Sequence, residues 1–258
     1  MPSELQTDAP QWMSEITPDQ QAEGVDKLSS HQQLSWLKIM QYMTNPELRD
    51  EHGQGSIVIT PENLTVADAG TTISVVPCYF WPEFQKRADP RDKSAWIIET
   101  STDTKSDVAS KCRIPRYTES YQQGSESYEY SYITSLNFYF EIRSGAATGM
   151  AGVLPFSKGS YKIGTQIQSH LRRTSQQYGA PLFSNLLDLK TVELKGGRGS
   201  YWAPQYSVPE TKFVQSRADV DRLREVYRAV DAQFTASIPK SGHKKKSSDE
   251  NTYDDIPF

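Results

Sequence analysis

The residue types best suited to chemistry are basic and aromatic side chains that alternate between positions 158 and 202. This segment carries seven lysines and arginines against two carboxylates, a local net charge of +5 in a chain whose overall net charge is −4. Lysines and arginines neutralise phosphates, and aromatic rings provide faces on which bases stack. The pattern predicts a nucleic-acid interface, although a solvated basic face with its rings in the core has the same composition. The candidate contacts are Lys158, Tyr161, Lys162, Arg172, Arg173, Lys195, Arg198, Tyr201 and Trp202.

A second aromatic group lies earlier in the chain, in the run Tyr79, Phe80 and Trp81. Alternation along a strand sends Phe80 to one face and the other two rings to the opposite face. One set fills the core while the other is free to face DNA, and the sequence does not say which. We therefore add Tyr79 and Trp81 to the candidate DNA contacts. Trp96, followed by two isoleucines, is more typical of a core residue.

The remaining chemistry-bearing residues do not form a catalytic or metal-binding pattern. The four histidines are scattered, without an HExxH motif or paired ligand spacing. The glycine-rich "KGGRGS" at 195–200 lacks the P-loop pattern and predicts a hairpin turn. Cys78 and Cys112 are far apart and lack CxxC spacing, which is typical of reduced cytoplasmic thiols. We predict no catalytic residue, no metal site and no cofactor, in a protein that is not an enzyme.

The last five residues form a compact acidic and apolar peptide: Asp254, Asp255, Ile256, Pro257 and Phe258. Such a peptide fits an apolar pocket with a basic rim on a partner protein. The sequence "DDIPF" resembles the terminal peptide of bacterial single-stranded DNA-binding proteins. The resemblance implies that these residues dock replication, recombination and repair enzymes, with the phenylalanine buried in the partner. The alternative is an ordinary frayed acidic terminus.

A longer segment, 154–209, resembles a stretch of single-stranded DNA-binding proteins from tailed bacteriophages. The residues that carry the resemblance are "PFSKGSYK" at 155–162, "PLF" at 181–183 and "GSYW" at 199–202. The resemblance implies a helix followed by a strand and a hairpin. It also implies a phage-encoded protein that binds single-stranded DNA in the cytoplasm of a bacterial host.

The hydrophobic pattern predicts a mainly β fold with flanking helices. Apolar residues spaced three or four apart predict helices over 31–43, after residue 157 and over 217–234, the last with Ser216 as N-cap. Short β-branched runs bounded by glycine and proline predict strands between them, and a hairpin follows the second helix. Such a set suits an OB-fold-like barrel enlarged by insertions. We predict a disordered segment over 1–29, an OB-like DNA-binding domain over 30–238, and a flexible linker with a disordered acidic docking tail over 239–258.

Three further expectations concern segments that break the pattern. Pro77 and Pro82 predict that the ends of their strand lie at an edge or a rim, because proline cannot donate to a ladder. Residues 101–111 are polar and predict a loop. The Tyr, Ser and Glu-rich stretch 116–132 predicts a long loop or a ragged hairpin.

The predicted function is sequence-tolerant binding of single-stranded DNA during phage replication and recombination, with enzymes recruited by the tail. Two alternatives stay open: an adaptor or inhibitor that occupies host enzymes without touching DNA, and a strand-annealing recombination protein. No apolar run approaches the ~18 residues of a membrane span, so we expect a cytoplasmic protein without a membrane partner. The oligomeric state is not predicted.

Overall fold

The computed structural model describes residues 34–42, 44, 46–91, 97–197 and 199–237, and within them the chain is mainly β. The strands are β1 (Trp36–Ile39), β2 (Ile57–Thr60), β3 (Leu64–Ala67), β4 (Ile73–Arg87), β5 (Ile97–Ser101), β6 (Thr118–Gln123), β7 (Glu126–Ile142), β8 (Ala151–Ser157), β9 (Leu187–Gly196) and β10 (Gly199–Ser207). The helices are α1 (Pro46–His52), α2 (Asp107–Cys112), α3 (Tyr161–Tyr178) and α4 (Arg217–Ser237).

All ten strands belong to one sheet, whose main order is β10-β9-β4-β7-β8-β1-β2-β3, with β5 paired to β4 and β6 paired to β7. The pairs are antiparallel except for β1 and β8, which are parallel. The two longest strands, β4 and β7, form the longest pair in the sheet. Their pairing begins at Val75 with Ile142 and ends at Arg87 with Ser131. The sheet curls strongly into a half-barrel.

The concave side of the sheet holds the main apolar core, into which α3 packs. Phe138, Phe156 and Ile167 are fully buried there and belong to one contiguous cluster. The helix approaches the sheet closely at Gly164, where a Cβ would lie 2.7 Å from the Cβ of Phe156. Only glycine fits this contact without displacing the strand, so the helix sits deep in the curl.

Strands β9 and β10 contact the segments around β1, β2 and β3. Side-chain hydrogen bonds, and not strand pairing, make these contacts. The Gln41 amide donates to the Trp202 carbonyl at 2.6 Å and accepts the Trp202 N–H at 2.9 Å, as a strand residue would. The Thr191 hydroxyl donates to the Gly55 carbonyl at 2.6 Å and accepts the Gly70 N–H at 3.2 Å. These bonds fix β9 and β10 against the first strands.

The convex side carries α4, held by an apolar cluster and an ion-pair network. Leu223 packs against Val76 and Cys78 of β4, all three fully buried. The carboxylate of Glu141, 3% exposed, accepts from Arg222 at 2.6 Å and from Arg143 at 2.6 Å. The Arg222 side chain is 49% exposed, so solvent screens its ion pair, and the network adds to the apolar cluster in holding α4 on the sheet.

The first predicted helix, over 31–43, is wrong in the described residues, which form strand β1 instead. Leu37 is buried between exposed Trp36 and Lys38, the alternation of a strand. β1 pairs with β2 and, through Trp36, with β8. The apolar residues are spaced three apart and fit either period over so short a run. The segment is a strand because it pairs with two other strands, and such tertiary contacts override the local preference for a helix.

The other expected elements are largely confirmed. Helices α3 and α4 and the hairpin β9–β10 lie where predicted, and the Ser216 hydroxyl accepts the Asp219 N–H at 3.4 Å. Residues 116–132 contain the hairpin of β6 and the first part of β7, which confirms the hairpin of the two alternatives, and its pairing is regular. The predicted loop 101–111 contains most of α2, whose N-terminal N–H groups are capped by the hydroxyl of Ser106.

β4 is an internal strand that is paired on one side only at Pro77 and Pro82, so the expected edge lies in the middle of the strand rather than at its ends. Its second edge pairs with β9 only over Ile73–Val75 and with β5 only from Phe84 onward. Between these stretches no described strand lies alongside β4. Both prolines fall in that gap, where a missing N–H removes no ladder hydrogen bond.

The segment 1–29, the linker and tail 239–258, Trp96 and Arg198 lie outside the described residues. Among the helices of the described part, none has the length and apolar character needed to cross a membrane.

Candidate nucleic-acid interface

The candidate interface begins where β8 leaves the sheet and the chain turns into α3. A 3₁₀ turn, Lys158–Ser160, joins the two elements, and the Ser160 hydroxyl accepts the Ser157 N–H at 3.1 Å. Lys158 adopts a left-handed conformation, φ +50°, which bulky residues rarely take. Lys158 therefore stands just before α3 in a backbone conformation that is unusual for a lysine.

β10 runs beside α3 and gives the interface its second wall. The Tyr201 ring lies against Gly159, where a Cβ would be 3.0 Å from the Tyr201 hydroxyl. Further along, the Tyr206 hydroxyl donates to the Gln166 carbonyl of α3 at 3.2 Å. After β10 the chain continues to Phe213, whose ring meets Tyr178 at the end of α3. We call the surface from the 3₁₀ turn along α3, β9 and β10 to residue 213 the basic strip.

The basic strip carries a clear excess of positive charge. Its described residues from 158 to 212 include seven lysines and arginines against three carboxylates, a net +4. Five of these cations have no carboxylate at ion-pair distance in the described part of the chain: Lys162, Arg173, Lys190, Lys195 and Lys212.

Helix α4 shows the opposite arrangement. Arg217, Arg222, Arg224 and Arg228 each meet an aspartate or glutamate at 2.6–3.2 Å. An exposed cation without a carboxylate partner retains its full charge for a ligand. The strip, rather than α4, therefore has the field that a phosphate backbone requires.

Lys158 and Arg87 bring two cations together at the start of the strip. Partial burial lowers the pKa of Lys158, and the nearby positive charge of Arg87 lowers it further. Burial also lowers the pKa of Arg87, whose guanidinium donates to the Gln85 amide oxygen at 2.7 Å. The two like charges disfavour each other, and the Glu83 carboxylate offsets part of this effect on Arg87.

The rings of the strip differ in how much surface they offer. Tyr201 is 38% exposed and lies opposite Leu194, 39% exposed, in the β9–β10 hairpin. Tyr161 is half-buried and packs against the main core, and burial raises the pKa of its hydroxyl. Trp202 is half-buried, with one ring face over Gly55. Tyr201 is therefore the ring of the predicted set best placed for stacking on a base.

The predicted basic residues lie along the strip but not at one point. Lys162 is exposed in the first turn of α3, while Arg172 and Arg173 are exposed in its second half. Lys195 is exposed near the tip of the β9–β10 hairpin. Lys162 and Arg173 are eleven residues apart on α3, and a helix rises 1.5 Å per residue, so these two groups lie roughly 17 Å apart along the helix axis.

The structure places Tyr79 and Trp81 elsewhere, beneath α4. The Phe234 ring stacks on Tyr79 with centroids 5.4 Å apart and lies 4.3 Å from Trp81. The Tyr79 hydroxyl donates to Asp231 at 2.9 Å, and Trp81 is only 8% exposed. Phe80 points to the opposite face and meets Phe138 in the main core. Both faces of this part of β4 are thus covered by protein.

A second group of rings and cations, on the hairpin β6–β7, was not predicted as a site. Tyr121 stacks on Tyr130 with centroids 4.0 Å apart and on Tyr128 at 5.5 Å. The Lys86 ammonium lies 4.0 Å from the centroid of Tyr130, and the Arg91 guanidinium 5.2 Å from that of Tyr128. We call these five side chains the tyrosine stack. Its sequence signal was the period-two spacing of the tyrosines in β7.

Glu119 neutralises the cations beside the tyrosine stack. Its carboxylate meets Lys111 at 2.6 Å and Lys86 at 3.3 Å, and it accepts from the Tyr132 and Tyr117 hydroxyls. Hydrogen bonds from Lys111, then from Tyr132, lower the pKa of Glu119 to about 2. The rings of the stack pack on one another, and the Lys86 charge is paired with Glu119. These contacts stabilise a two-stranded ribbon, which is only marginally stable by itself.

The described residues contain no group of three or more His, Cys, Asp or Glu side chains that could hold a metal ion. No protein-family model, curated protein or solved structure matches this chain.

Proposed function

We propose that the protein binds single-stranded DNA along the basic strip without strong sequence preference. The observation that carries the proposal is the set of five cations without a carboxylate partner in the described structure, on the same group of elements as the exposed ring of Tyr201. Cations of this kind neutralise phosphates whatever the sequence, and a tyrosine ring accepts any base on its face. Catalysis is not part of the proposal.

The curled sheet suits such a role. We propose that it is an OB-type barrel enlarged by insertions, in which α3 covers one opening and β10 forms part of the binding wall. The bonds between Gln41, just after β1, and Trp202 of β10 support this interpretation. A wall fixed at both ends keeps Tyr201 and the cations in place before DNA arrives, which reduces the entropy lost on binding.

The tail completes the proposal. Residues 254–258 carry two aspartates followed by apolar residues, a chemistry suited to a basic-rimmed apolar pocket on a replication or repair enzyme. Because strip and tail are separate, deleting residues 249–258 should leave DNA affinity equal or higher and abolish recruitment of the enzyme. A large loss of DNA affinity after this deletion would contradict the separation of the two roles.

The proposal is tested by fluorescence anisotropy with labelled oligo-dT at several salt concentrations. For single strands the logarithm of the affinity falls by about 0.7 per tenfold rise in salt for each phosphate neutralised. Full use of the five cations would give a slope of roughly −3.5. Lys162→Ala should make the slope about 0.7 less steep. Absence of binding at low salt would refute the proposal and leave the adaptor as the better interpretation.

A matched control comes from α4. Arg228 is, like Lys162, an exposed cation on a helix, but it bonds Glu225 at 2.7 Å. Arg228→Ala should leave both affinity and salt slope unchanged. An equal effect of the two substitutions would mean that bulk charge, and not the strip, attracts the DNA. An annealing assay with complementary strands then decides whether the bound protein also joins strands.

A further inference from the structure

A pocket of about 300 Å³ lies at the far end of the basic strip, between the last turns of α3 and the chain that follows β10. Tyr178 and Phe213 form an aromatic wall, their rings meeting edge to face with centroids 5.6 Å apart. Arg173 and Lys212 line the same pocket and have no carboxylate partner in the described structure. The pocket therefore combines an apolar wall with two uncompensated positive charges.

His170 also lines this pocket and reports on its electrostatics. Burial lowers the pKa of its imidazole, and the positive charges of Arg173 and Lys212 lower it further. Burial, the larger cause, and the two neighbouring cations both disfavour the charged form of the imidazole. An anion is the ligand that such a concentration of positive charge favours.

Asn185 adds a polar group to the same lining. It is 1% exposed, and its amide nitrogen donates to the carbonyls of Pro181 at 3.0 Å and Leu182 at 3.1 Å. Those two bonds fix the orientation of the amide, so the other atom must be the oxygen Oδ1. That oxygen has no hydrogen-bond partner among the described residues. A buried acceptor without a donor is costly, so the lining of the pocket includes a residue with an unsatisfied amide oxygen.

We propose that this pocket binds one nucleotide unit of the DNA strand, with the base against Tyr178 and Phe213 and its phosphate between Arg173 and Lys212. A pocket of 300 Å³ lies at the small end of ligand sites, which suits a single unit rather than a longer segment. The proposal rests on the proposed function, since it makes the pocket the end point of the strand on the strip.

The test uses the full-length ¹⁵N-labelled protein and the free mononucleotide dAMP, followed by NMR. The amide signals of Tyr178, Lys212 and Phe213 should shift on titration. Deoxyribose 5-phosphate, which lacks the base, and deoxyadenosine, which lacks the phosphate, should each bind at least tenfold more weakly. Lys212→Ala should weaken dAMP binding about fivefold or more.

Lys190→Ala is the matched control, because Lys190 belongs to the strip but not to the pocket lining. It should leave dAMP binding unchanged while making the salt slope of oligo-dT binding less steep. If dAMP leaves the pocket signals unchanged, or binds Lys212→Ala equally well, the pocket proposal is wrong. It is also wrong if a peptide of residues 254–258 occupies the same pocket more tightly than dAMP.

The same measurements separate this proposal from the broader one. Oligo-dT binding without a response of the pocket to dAMP would overturn the pocket proposal and leave DNA binding by the strip intact. A specific dAMP response without oligo-dT binding would support the pocket and refute the proposed function.

Discussion

Strand β10 packs against the segment before β2 through a close contact between Trp202 and Gly55. Two glycine substitutions measure how much this contact restricts residue 55. Gly55 has φ +81°, and a Cβ there would lie 2.5–2.7 Å from three atoms of the Trp202 ring. Gly70 has a similar backbone, φ +75°, but a Cβ there would meet nothing within 4 Å. Gly55→Ala and Gly70→Ala therefore share the backbone change and differ in the ring contact.

The expected magnitudes follow from this difference. Forcing alanine into the left-handed region costs about 1–2 kcal/mol at either position. The reduced entropy of the unfolded chain offsets part of this cost equally in both variants. Gly55→Ala must in addition displace the indole, and overpacking of this kind costs about 1–3 kcal/mol. The free energy of unfolding should thus be lower for Gly55→Ala than for Gly70→Ala by about 1–3 kcal/mol.

Urea unfolding at 25 °C, followed by circular dichroism and tryptophan fluorescence, measures both variants. Removing the indole should remove the extra cost, so Gly55→Ala in a Trp202→Ala background should destabilise no more than Gly70→Ala does in the parent chain. Equal losses in the two single variants would refute the idea that Trp202 packs on Gly55. So would an unchanged cost of Gly55→Ala in the absence of the indole.

Two further predictions concern titratable groups. Because Glu119 has a folded-state pKa of about 2, well below its ordinary value of 4.5, its contribution to stability is present above pH 4.5 and is lost as the pH falls toward 2. The near-ultraviolet circular dichroism of the tyrosines should fade in that window, and Glu119→Gln should remove this dependence; an identical acid transition in the variant would contradict it. Burial and the negative charge of Glu141 raise the pKa of the Cys78 thiol to about 12, so Ellman's reagent should modify Cys112 first and Cys78 only on unfolding. Rapid modification of Cys78 in the folded protein would show that α4 opens.

The sequence predicted those elements whose signals are local. The four-residue spacing of Ile163, Ile167 and Leu171 identified α3, and the glycine-rich turn at 195–200 identified the β9–β10 hairpin. β1 was missed because four residues cannot distinguish a strand from a helix without their partners. Its partners β2 and β8 are themselves widely separated in the chain.

The candidate site was predicted in composition but not in arrangement. The excess of lysine and arginine is visible in the sequence, whereas the lack of carboxylate partners depends on which elements meet in space. Tyr79 and Trp81 show the same limit, since the ring that covers them, Phe234, lies about 150 residues further along the chain. The pocket beside Asn185 depends on segments that only the fold brings together.

The tyrosine stack and the basic strip both place cations among aromatic rings in the described residues, and ion pairing distinguishes the two. In the tyrosine stack, Lys86 lies over Tyr130 and also bonds Glu119, so a phosphate there would have to displace a carboxylate already in place. On the basic strip, Lys162 and Lys195 have no such carboxylate in the described structure, so a phosphate gains their charge without breaking a bond. Counterion release from DNA therefore favours the strip over the stack, although both contain the same residue types. The stack can contribute mechanical support for the hairpin, but it should add nothing to the salt slope of DNA binding.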